Sequence, residues 1–421
     1  MSDFGHVATW SIAALAVLGV ITRPREWSEA WWAAAGAIAL VLCSLIPIAD
    51  ALAAVARGMD VYLFLIGMML LAELGRREGL FDWLAGYALE HARGAPARLF
   101  LLIYAVGTLV TVFLSNDATA VVLTPAVYAV ARHARAPAIP YLLICAFIAN
   151  AASFVLPISN PANLVVFGSH MPPLTSWLRE FGAASVVSIV TTYVLLRFTQ
   201  RHELVREVAT SSVRVALPPS GQITALALAL TAAVLLAASS LGWQLGLPTC
   251  LCGLGAWLTV TLLNRQSPWP VLSQITWSVL PLVAGLFVLA QGVENTGVLS
   301  SLTRFSSELA RHAPATAALL GGTAVAFASN LINNLPMGLI AATVASSAQL
   351  PAHATGALLV GVDLGPNLSV TGSLATILWL VAIRREGLNV SALKFLAVGV
   401  LVMPAPLLLS LLTLVATALP N

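Results

Sequence analysis

Long apolar runs alternate with short polar segments along the whole chain. Most of the runs hold about 20 residues or more, the length with which an α-helix crosses a bilayer. A membrane barrel would instead show alternating segments of about ten residues. The pattern therefore predicts an all-α polytopic membrane protein. The runs lie near residues 6–22, 29–49, 59–75, 99–131, 139–170, 181–198, 222–242, 246–264, 277–293, 315–349, 354–383 and 392–417.

Four of these runs are interrupted in the middle by polar or helix-breaking residues. Each interruption frees backbone groups that lipid cannot satisfy, so each must face protein or a wet cavity. We predict re-entrant hairpins at 96–131 and 315–349 and broken spans at 139–170 and 354–383. The interruptions are Ser115 to Asp117 with Thr124-Pro125, Pro157 to Asn163, Asn330 to Pro336, and Asp363 to Asn367 with Thr371 to Ser373.

The first interruption places a carboxylate, Asp117, in an otherwise apolar run. A buried unpaired carboxylate is costly, and ionisable residues inside a membrane usually mark a pathway for ions or substrate. Ser, Asn and Asp also compete with the helix for backbone hydrogen bonds. We therefore expect a break near Asn116, with its polar tip deep in the bilayer.

Composition supports the membrane class and excludes several functions. Of 421 residues, 59% are hydrophobic and 9% are charged, whereas soluble domains carry about 25% charged residues. The net charge of +3 is small and spread over loops, so the sequence shows no clustered basic patch of the kind that binds nucleic acid. Lys394 is the one lysine, and no phosphate-binding G-x-x-x-x-G-K motif exists. We predict a transporter without ATPase activity of its own, not an enzyme.

The four cysteines lie in apolar runs, which argues against a disulfide framework. Cys250 and Cys252 form a lone C-x-C with no second pair beside it, a weak metal signal. We predict no metal site and no cofactor, and we expect no cleavable signal peptide. The other two cysteines are Cys43 and Cys145.

The two halves of the chain match when the sequence is shifted by 218 positions. Gly79 meets Gly297, Arg93-Gly94-Ala95-Pro96 meets Arg311-His312-Ala313-Pro314, and Asn116 meets Asn334. We predict two inverted-topology repeats with about ten spans and two hairpins, an architecture common in secondary transporters. The first repeat is 1–198, with three spans before the hairpin and a span at 181–198. A cytoplasmic linker at 199–221 follows, and the second repeat is 222–421.

Basic residues predict the orientation. If the hairpins return to the side they left, one face collects most of the 20 Lys and Arg residues. The other face collects Arg57, Arg179, Arg304 and Arg311. The positive-inside rule places the first face, which includes Arg23, Arg25, Arg206 and Arg214, in the cytoplasm. We therefore expect both termini outside the cytoplasm and a location in the cell's inner (plasma) membrane.

The four breaks should converge near the midplane and form a pocket of amides and hydroxyls with two carboxylates. Asp117 and Asp363 are the proton-carrier candidates, although Asp363 could also cap a half-helix. Asn160 and Asn163 could alternatively be turn residues beside Pro161. The predicted substrate-binding residues are Ser115, Asn116, Asn160, Asn163, Asn333, Asn334, Thr371 and Ser373.

These motifs resemble the ArsB arsenite/antimonite efflux family of the ion transporter superfamily. The resemblance rests on the stretches 113–117 and 123–125, on Asn333-Asn334-Leu335-Pro336, and above all on 361–367 running on to 371–380. It implies export of trivalent arsenic and antimony, by proton antiport or with a soluble ATPase partner. Asn367 departs from the pattern, since many members carry Lys there.

The residues fit that implication, because arsenite at neutral pH is mainly As(OH)₃, an uncharged solute with three hydroxyls. The leading hypothesis is a transporter that expels arsenite and antimonite in exchange for protons. One alternative is a Na⁺/H⁺ antiporter of the same superfamily, and another is the membrane subunit of an ATPase-driven arsenite pump. Besides lipid, solute and protons, a soluble arsenite-stimulated ATPase at the cytoplasmic face is the one possible partner.

Overall fold

The computed structural model describes residues 3–22, 27–168, 171–205, 208–209, 216–265 and 267–418. Several predictions fall on residues outside these ranges. They concern Arg23, Arg25, Arg206 and Arg214 in the charge argument, the end of the broken span at 169–170, and 210–215 of the linker. Within the described ranges every regular element is helical, which confirms the all-α class.

The first half contains short and long helices in succession. They are α1 (Asp3–Thr22), α2 (Glu29–Leu42), α3 (Ile48–Arg57), α4 (Met59–Arg77), α5 (Leu80–Ala92), α6 (Pro96–Phe113), α7 (Asn116–Ala118), α8 (Thr124–His133), α9 (Ala138–Ala151), α10 (Pro161–Phe167) and α11 (Leu174–Thr199). A π-helical turn at Thr119–Leu123 joins α7 to α8, and a 3₁₀ turn at Pro157–Ser159 precedes α10.

The second half also contains short and long helices in succession. Its helices are α12 (Pro219–Ser240), α13 (Gly246–Leu263), α14 (Trp269–Gln274), α15 (Val279–Asn295), α16 (Leu299–His312), α17 (Pro314–Ile332), α18 (Asn334–Ser347), α19 (Ala352–Leu364), α20 (Leu374–Arg385), α21 (Ala392–Val402) and α22 (Pro404–Ala418). Two 3₁₀ turns, Gly365–Leu368 and Val370–Gly372, separate α19 from α20.

Six of the described helices are long and apolar enough to cross a membrane, and up to eight spans result if each bent pair counts as one. The bent pairs are α3 with α4, at 46°, and α15 with α16, at 82°. This number is lower than the predicted ten in part because three apolar helices, Phe4–Val20, Glu29–Leu42 and Ala138–Ala151, hold only 10–17 residues.

Helix α11 shows how the spans divide between lipid and protein. Val186, Val190 and Val194 are each more than half exposed, and their spacing of four places them on one face of the helix. Ser188 and Thr192 on another face are fully buried. The apolar face is therefore available to lipid, and the hydroxyls face protein.

Glycines allow the two halves to interlock. A methyl group on Gly67 of α4 would lie 2.2 Å from the carbonyl oxygen of Thr249 in α13. The residue 218 positions later, Gly285 of α15, would meet the Ala33 carbonyl oxygen in α2 at 2.7 Å. Each half thus packs its fourth helix against the second helix of the other half. The opposite orientation of the halves in the bilayer stays a prediction.

Both ends of the first predicted hairpin lie at the linker. The Val208 N–H donates to the Gly94 carbonyl at 3.1 Å, and the Ala209 N–H donates to the Ala134 carbonyl at 2.8 Å. Gly94 precedes α6 and Ala134 follows α8. Because two adjacent residues bond these two loops, the chain leaves α8 on the face at which it entered α6.

Candidate functional site

The break at Ser115 ends one helix and begins another. Its backbone is extended, and its Oγ accepts the Ala118 N–H at 3.2 Å, which caps the short helix α7. Pro125 supplies no N–H, and the turn before it is π-helical, a form often found at functional sites. The break therefore fixes Asn116 and Asp117 at the tip between two arms.

A central cavity, defined by Asn116, Asp117, Asn160 and Asn334, lies where this tip meets helices α4, α10, α15, α18 and α20. Its cavity volume is about 10 Å³, room for about one water molecule, so a larger solute requires the walls to move apart. The two tips predicted to meet across the repeat, Asn116 and Asn334, thus line one space. None of the described lining residues is basic. The apolar part of the wall is Leu65, Pro161, Val279, Leu335, Leu374 and Ala375.

Asp363 lies behind this cavity and is fully buried. One of its carboxylate oxygens accepts the Asn160 amide N–H at 2.8 Å, and the other has no hydrogen-bond partner among the described groups. Asn160 also caps α10, because its Oδ1 accepts the Ala162 N–H at 3.0 Å. Asn160 therefore connects the buried carboxylate to the cavity wall.

Five predicted binding residues do not line the central cavity. Ser115 caps α7 beside it, and the other four hold the breaks together. The Asn163 amide donates to three carbonyls of the first broken span, those of Ser153, Leu156 and Pro157, at 2.9–3.3 Å. The Asn333 amide donates to the Thr371 carbonyl at 3.2 Å, and the Thr371 hydroxyl donates to Asn330 at 3.2 Å.

Ser373 belongs to a network that the sequence did not reveal. Its hydroxyl donates to Asn150 at 3.1 Å, the Asn150 amide donates to Asn367 at 3.0 Å, and the Asn367 amide donates to the Phe147 carbonyl at 3.1 Å. All three polar side chains are fully buried. The available signal was an isolated amide, Asn150, in an apolar run. The position where many family members carry Lys is here an amide that joins the two broken spans.

Two further cavities lie beside the central one. The Glu73 cavity is lined by Glu73, Ser115, Asp117 and Gln274 and shares Leu65, Pro161 and Val279 with the central cavity. The Arg57 cavity, lined by Arg57, Asp60, Gln291 and Glu294, contacts the opposite end of α4. Asp117 thus lines both the central cavity and the Glu73 cavity.

No three described His, Cys, Asp or Glu side chains approach closely enough to hold a metal ion. The carboxylates near the central cavity, Asp117 and Asp363, have amide neighbours.

Comparison with known proteins shows that the chain is similar to membrane transporters. Residues 16–362 match the family model described as CitMHS, citrate transporter. The chain is 25% identical to an arsenical pump membrane protein of Escherichia coli, over 97% of both chains. This similarity confirms the resemblance inferred from the motifs. An uncharacterized transporter of Mycobacterium tuberculosis, Rv2685, is 27% identical over 83% of this chain and 84% of its own.

A solved structure shares the fold. The crystal structure of the YdaH transporter of Alcanivorax borkumensis, described as having an unusual topology, aligns with a TM-score of 0.56. The alignment covers 87% of this chain and 86% of that chain at 16% sequence identity.

Proposed function

We propose that this chain, which belongs to the CitMHS citrate transporter family, exports arsenite and antimonite from the cytoplasm in exchange for protons. Its family and relatives are transporters, not enzymes. The similarity to the arsenical pump membrane protein of Escherichia coli extends over nearly the whole chain, which supports an arsenical as the substrate.

The observation that carries this proposal is the chemistry of the central cavity. Asn116, Asn160 and Asn334 offer amide donors and acceptors to an uncharged solute with three hydroxyls. Citrate carries negative charge, which Asp117 would repel in a cavity whose described lining has no basic residue. Although the family is named for citrate, this cavity favours As(OH)₃ and Sb(OH)₃.

Asp117 is the proposed proton carrier. It lines the central cavity and also the Glu73 cavity, so one carboxyl group borders both the solute and a route toward the cytoplasm. Asp363, connected through Asn160, is the proposed second participant in proton coupling. In this proposal Asn116, Asn160 and Asn334 contact the solute, and Ser115 lies on the route through the Glu73 cavity. Asn163, Asn333, Thr371 and Ser373 keep the breaks in shape.

Alternating access between two inverted repeats is the proposed transport cycle. A central site with a separate cavity toward each end of α4 suits that cycle. Helix α4 ends at Arg76 and Arg77 near the Glu73 cavity. The positive-inside rule therefore orients the Glu73 cavity toward the cytoplasm and both termini away from it, with the chain in the inner (plasma) membrane.

The test is uptake of radiolabelled arsenite and antimonite into everted membrane vesicles that lack any soluble ATPase. With an acidic lumen and no ATP, we expect uphill uptake of both solutes that an uncoupler abolishes and that a sodium gradient does not replace. Asp117→Asn, which keeps the shape but cannot cycle a proton, should reduce this uptake to the level of empty vesicles.

Other outcomes would identify other functions. Proton release driven by sodium, without arsenite uptake, would indicate a Na⁺/H⁺ antiporter. Uptake that requires ATP and a soluble partner would indicate the membrane subunit of a pump. Uptake of labelled citrate in place of arsenite would contradict the argument from cavity charge.

A further inference from the structure

Glu73 occupies an unusual position for a carboxylate in a membrane protein. It lies on α4 with 8% of its surface exposed and lines the cavity that also contains Ser115 and Asp117. The volume of that cavity is about 90 Å³, room for several water molecules. Water in this space can connect the two carboxyl groups.

Arg76 holds the Glu73 carboxylate in place. Its Nε donates to one carboxylate oxygen at 2.7 Å, and its Nη2 donates to the other at 2.5 Å. The Arg76 side chain is 46% exposed, so the ion pair lies where the cavity meets the outside. The bidentate geometry fixes the direction of the carboxylate.

The internal repeat places an equivalent residue in the other cavity. A shift of 218 positions relates Ala72 to Ala290 and Glu73 to Gln291, and the later pair lines the Arg57 cavity. An arginine also holds Gln291, because Arg57 donates to its Oε1. Positions 73 and 291 thus each carry a side chain that an arginine binds. The side chain is a carboxylate in the Glu73 cavity and an amide in the Arg57 cavity.

The charged groups around Glu73 are few. Arg76 binds it directly, Arg77 lies one turn further along α4, and Asp82 of α5 interacts with Arg76. Asp117 is the other carboxyl group of the cavity, and none of its described lining residues is basic. Gln274 of α14, which also lines the cavity, does not titrate.

We infer that Glu73 is a second proton-transfer residue of the path, between Asp117 and the water at the mouth of the cavity, with Arg76 as its positioning residue. This inference rests on the proposed proton exchange. The Asp117 O–H bond breaks, water carries the proton, and an O–H bond forms on the Glu73 carboxylate. The proton then passes to water at the cytoplasmic mouth of the cavity, which restores the ion pair with Arg76. Gln291 cannot take part in an equivalent step, so an arginine-bound proton carrier at this repeat position exists at one end only, although the Arg57 cavity also contains Asp60 and Glu294.

The experiment uses purified full-length protein in liposomes and two readouts. The first is arsenite accumulation driven by a pH gradient, and the second is arsenite–arsenite exchange at equal pH, which needs no net proton transfer. Glu73→Gln should slow the driven accumulation by roughly a hundredfold, the scale of a positioned proton-transfer group. Exchange should stay within about twofold of wild type, which also shows that the variant is folded. Glu73→Asp should restore most of the driven rate.

Two controls separate position from charge. Glu308→Gln removes a carboxylate of α16 outside the three cavities and should change neither readout. The double variant Glu73→Gln/Gln291→Glu keeps the number of carboxylates but moves one to the other end, and it should remain defective in driven accumulation.

Two results for Glu73→Gln would overturn the relay. One is driven accumulation at the wild-type rate, and the other is loss of both driven accumulation and exchange. Recovery of driven accumulation in the double variant would also overturn it. If the wild-type protein shows exchange but no accumulation under a pH gradient, the proposed proton coupling itself fails, and this result is distinct from a defect limited to Glu73.

Discussion

At the scale of single residues, chemically similar side chains have different tasks. Asn116 and Asn334 line the central cavity. The Asn163 amide instead donates its hydrogens to backbone carbonyls of the first broken span. The Asn334 amide oxygen is buried without a hydrogen-bond partner among the described groups. An unsatisfied buried acceptor is costly, so this oxygen is suited to receive a hydroxyl group of the solute.

Truncation of the two cavity amides is therefore expected to weaken arsenite binding. Asn116→Ala and Asn334→Ala should each cost about 1–3 kcal/mol, or roughly 5- to 150-fold in affinity. Binding measured by displacement of labelled arsenite gives both values. The double variant should depart from additivity, because both side chains would contact one solute.

The control for these variants is Asn389→Ala, an exposed asparagine in the loop between α20 and α21. It should leave the affinity unchanged. Fully additive losses in the double variant would argue that the two amides do not share a solute.

At the scale of helices, close contact between backbones keeps the breaks in register. Helix α19 leads into the second broken span and packs against α17 through glycines. A methyl group on Gly361 would lie 2.2 Å from the carbonyl oxygen of Gly322. Small residues at such crossings let helices approach in lipid, where packing replaces the hydrophobic driving force.

Gly361→Ala should accordingly separate α17 from α19. We expect a loss of about 1–3 kcal/mol in stability, measured as a lower thermal unfolding temperature in detergent. Gly255→Ala in α13, where a methyl group meets no atom within 4 Å, is the matched control and should be neutral. Equal stability of Gly361→Ala and wild type would mean that the two helices separate at little cost.

At the scale of the whole molecule, three cavities follow one another along α4 and α15. The Glu73 cavity contains Val279 and Ala72, and the Arg57 cavity contains their repeat counterparts, Val61 and Ala290. A pair of cavities related in this way is expected if the two halves exchange roles during transport.

This exchange can be observed with cysteine labelling. Replacement of Cys43, Cys145, Cys250 and Cys252 by Ser or Ala should leave transport largely intact, because none of them lines the three cavities. In that background, Ala72→Cys and Ala290→Cys should change their labelling rates in opposite directions when arsenite and a pH gradient are applied. Changes in the same direction would contradict alternating access.

The sequence by itself determined where membrane helices form and where they are interrupted. Runs of about 20 apolar residues must become helices, since only helices satisfy their own backbone in a bilayer. Interruptions such as Ser115 to Asp117 must be breaks, because their side chains and Pro125 disfavour a continuous helix. The match between Asn116 and Asn334 followed from the same linear comparison.

The tertiary structure decided which polar groups share a space. Asn160 reaches Asp363 across 203 positions, and Ser373 reaches Asn150 across 223, separations that no local pattern encodes. Glu73 and Asp117 line one cavity, because the packing of α4 against its neighbours directs the Glu73 side chain into that space. The direction of a side chain depends on the rotation of its helix against the others, and that rotation is fixed only when all the helices pack together.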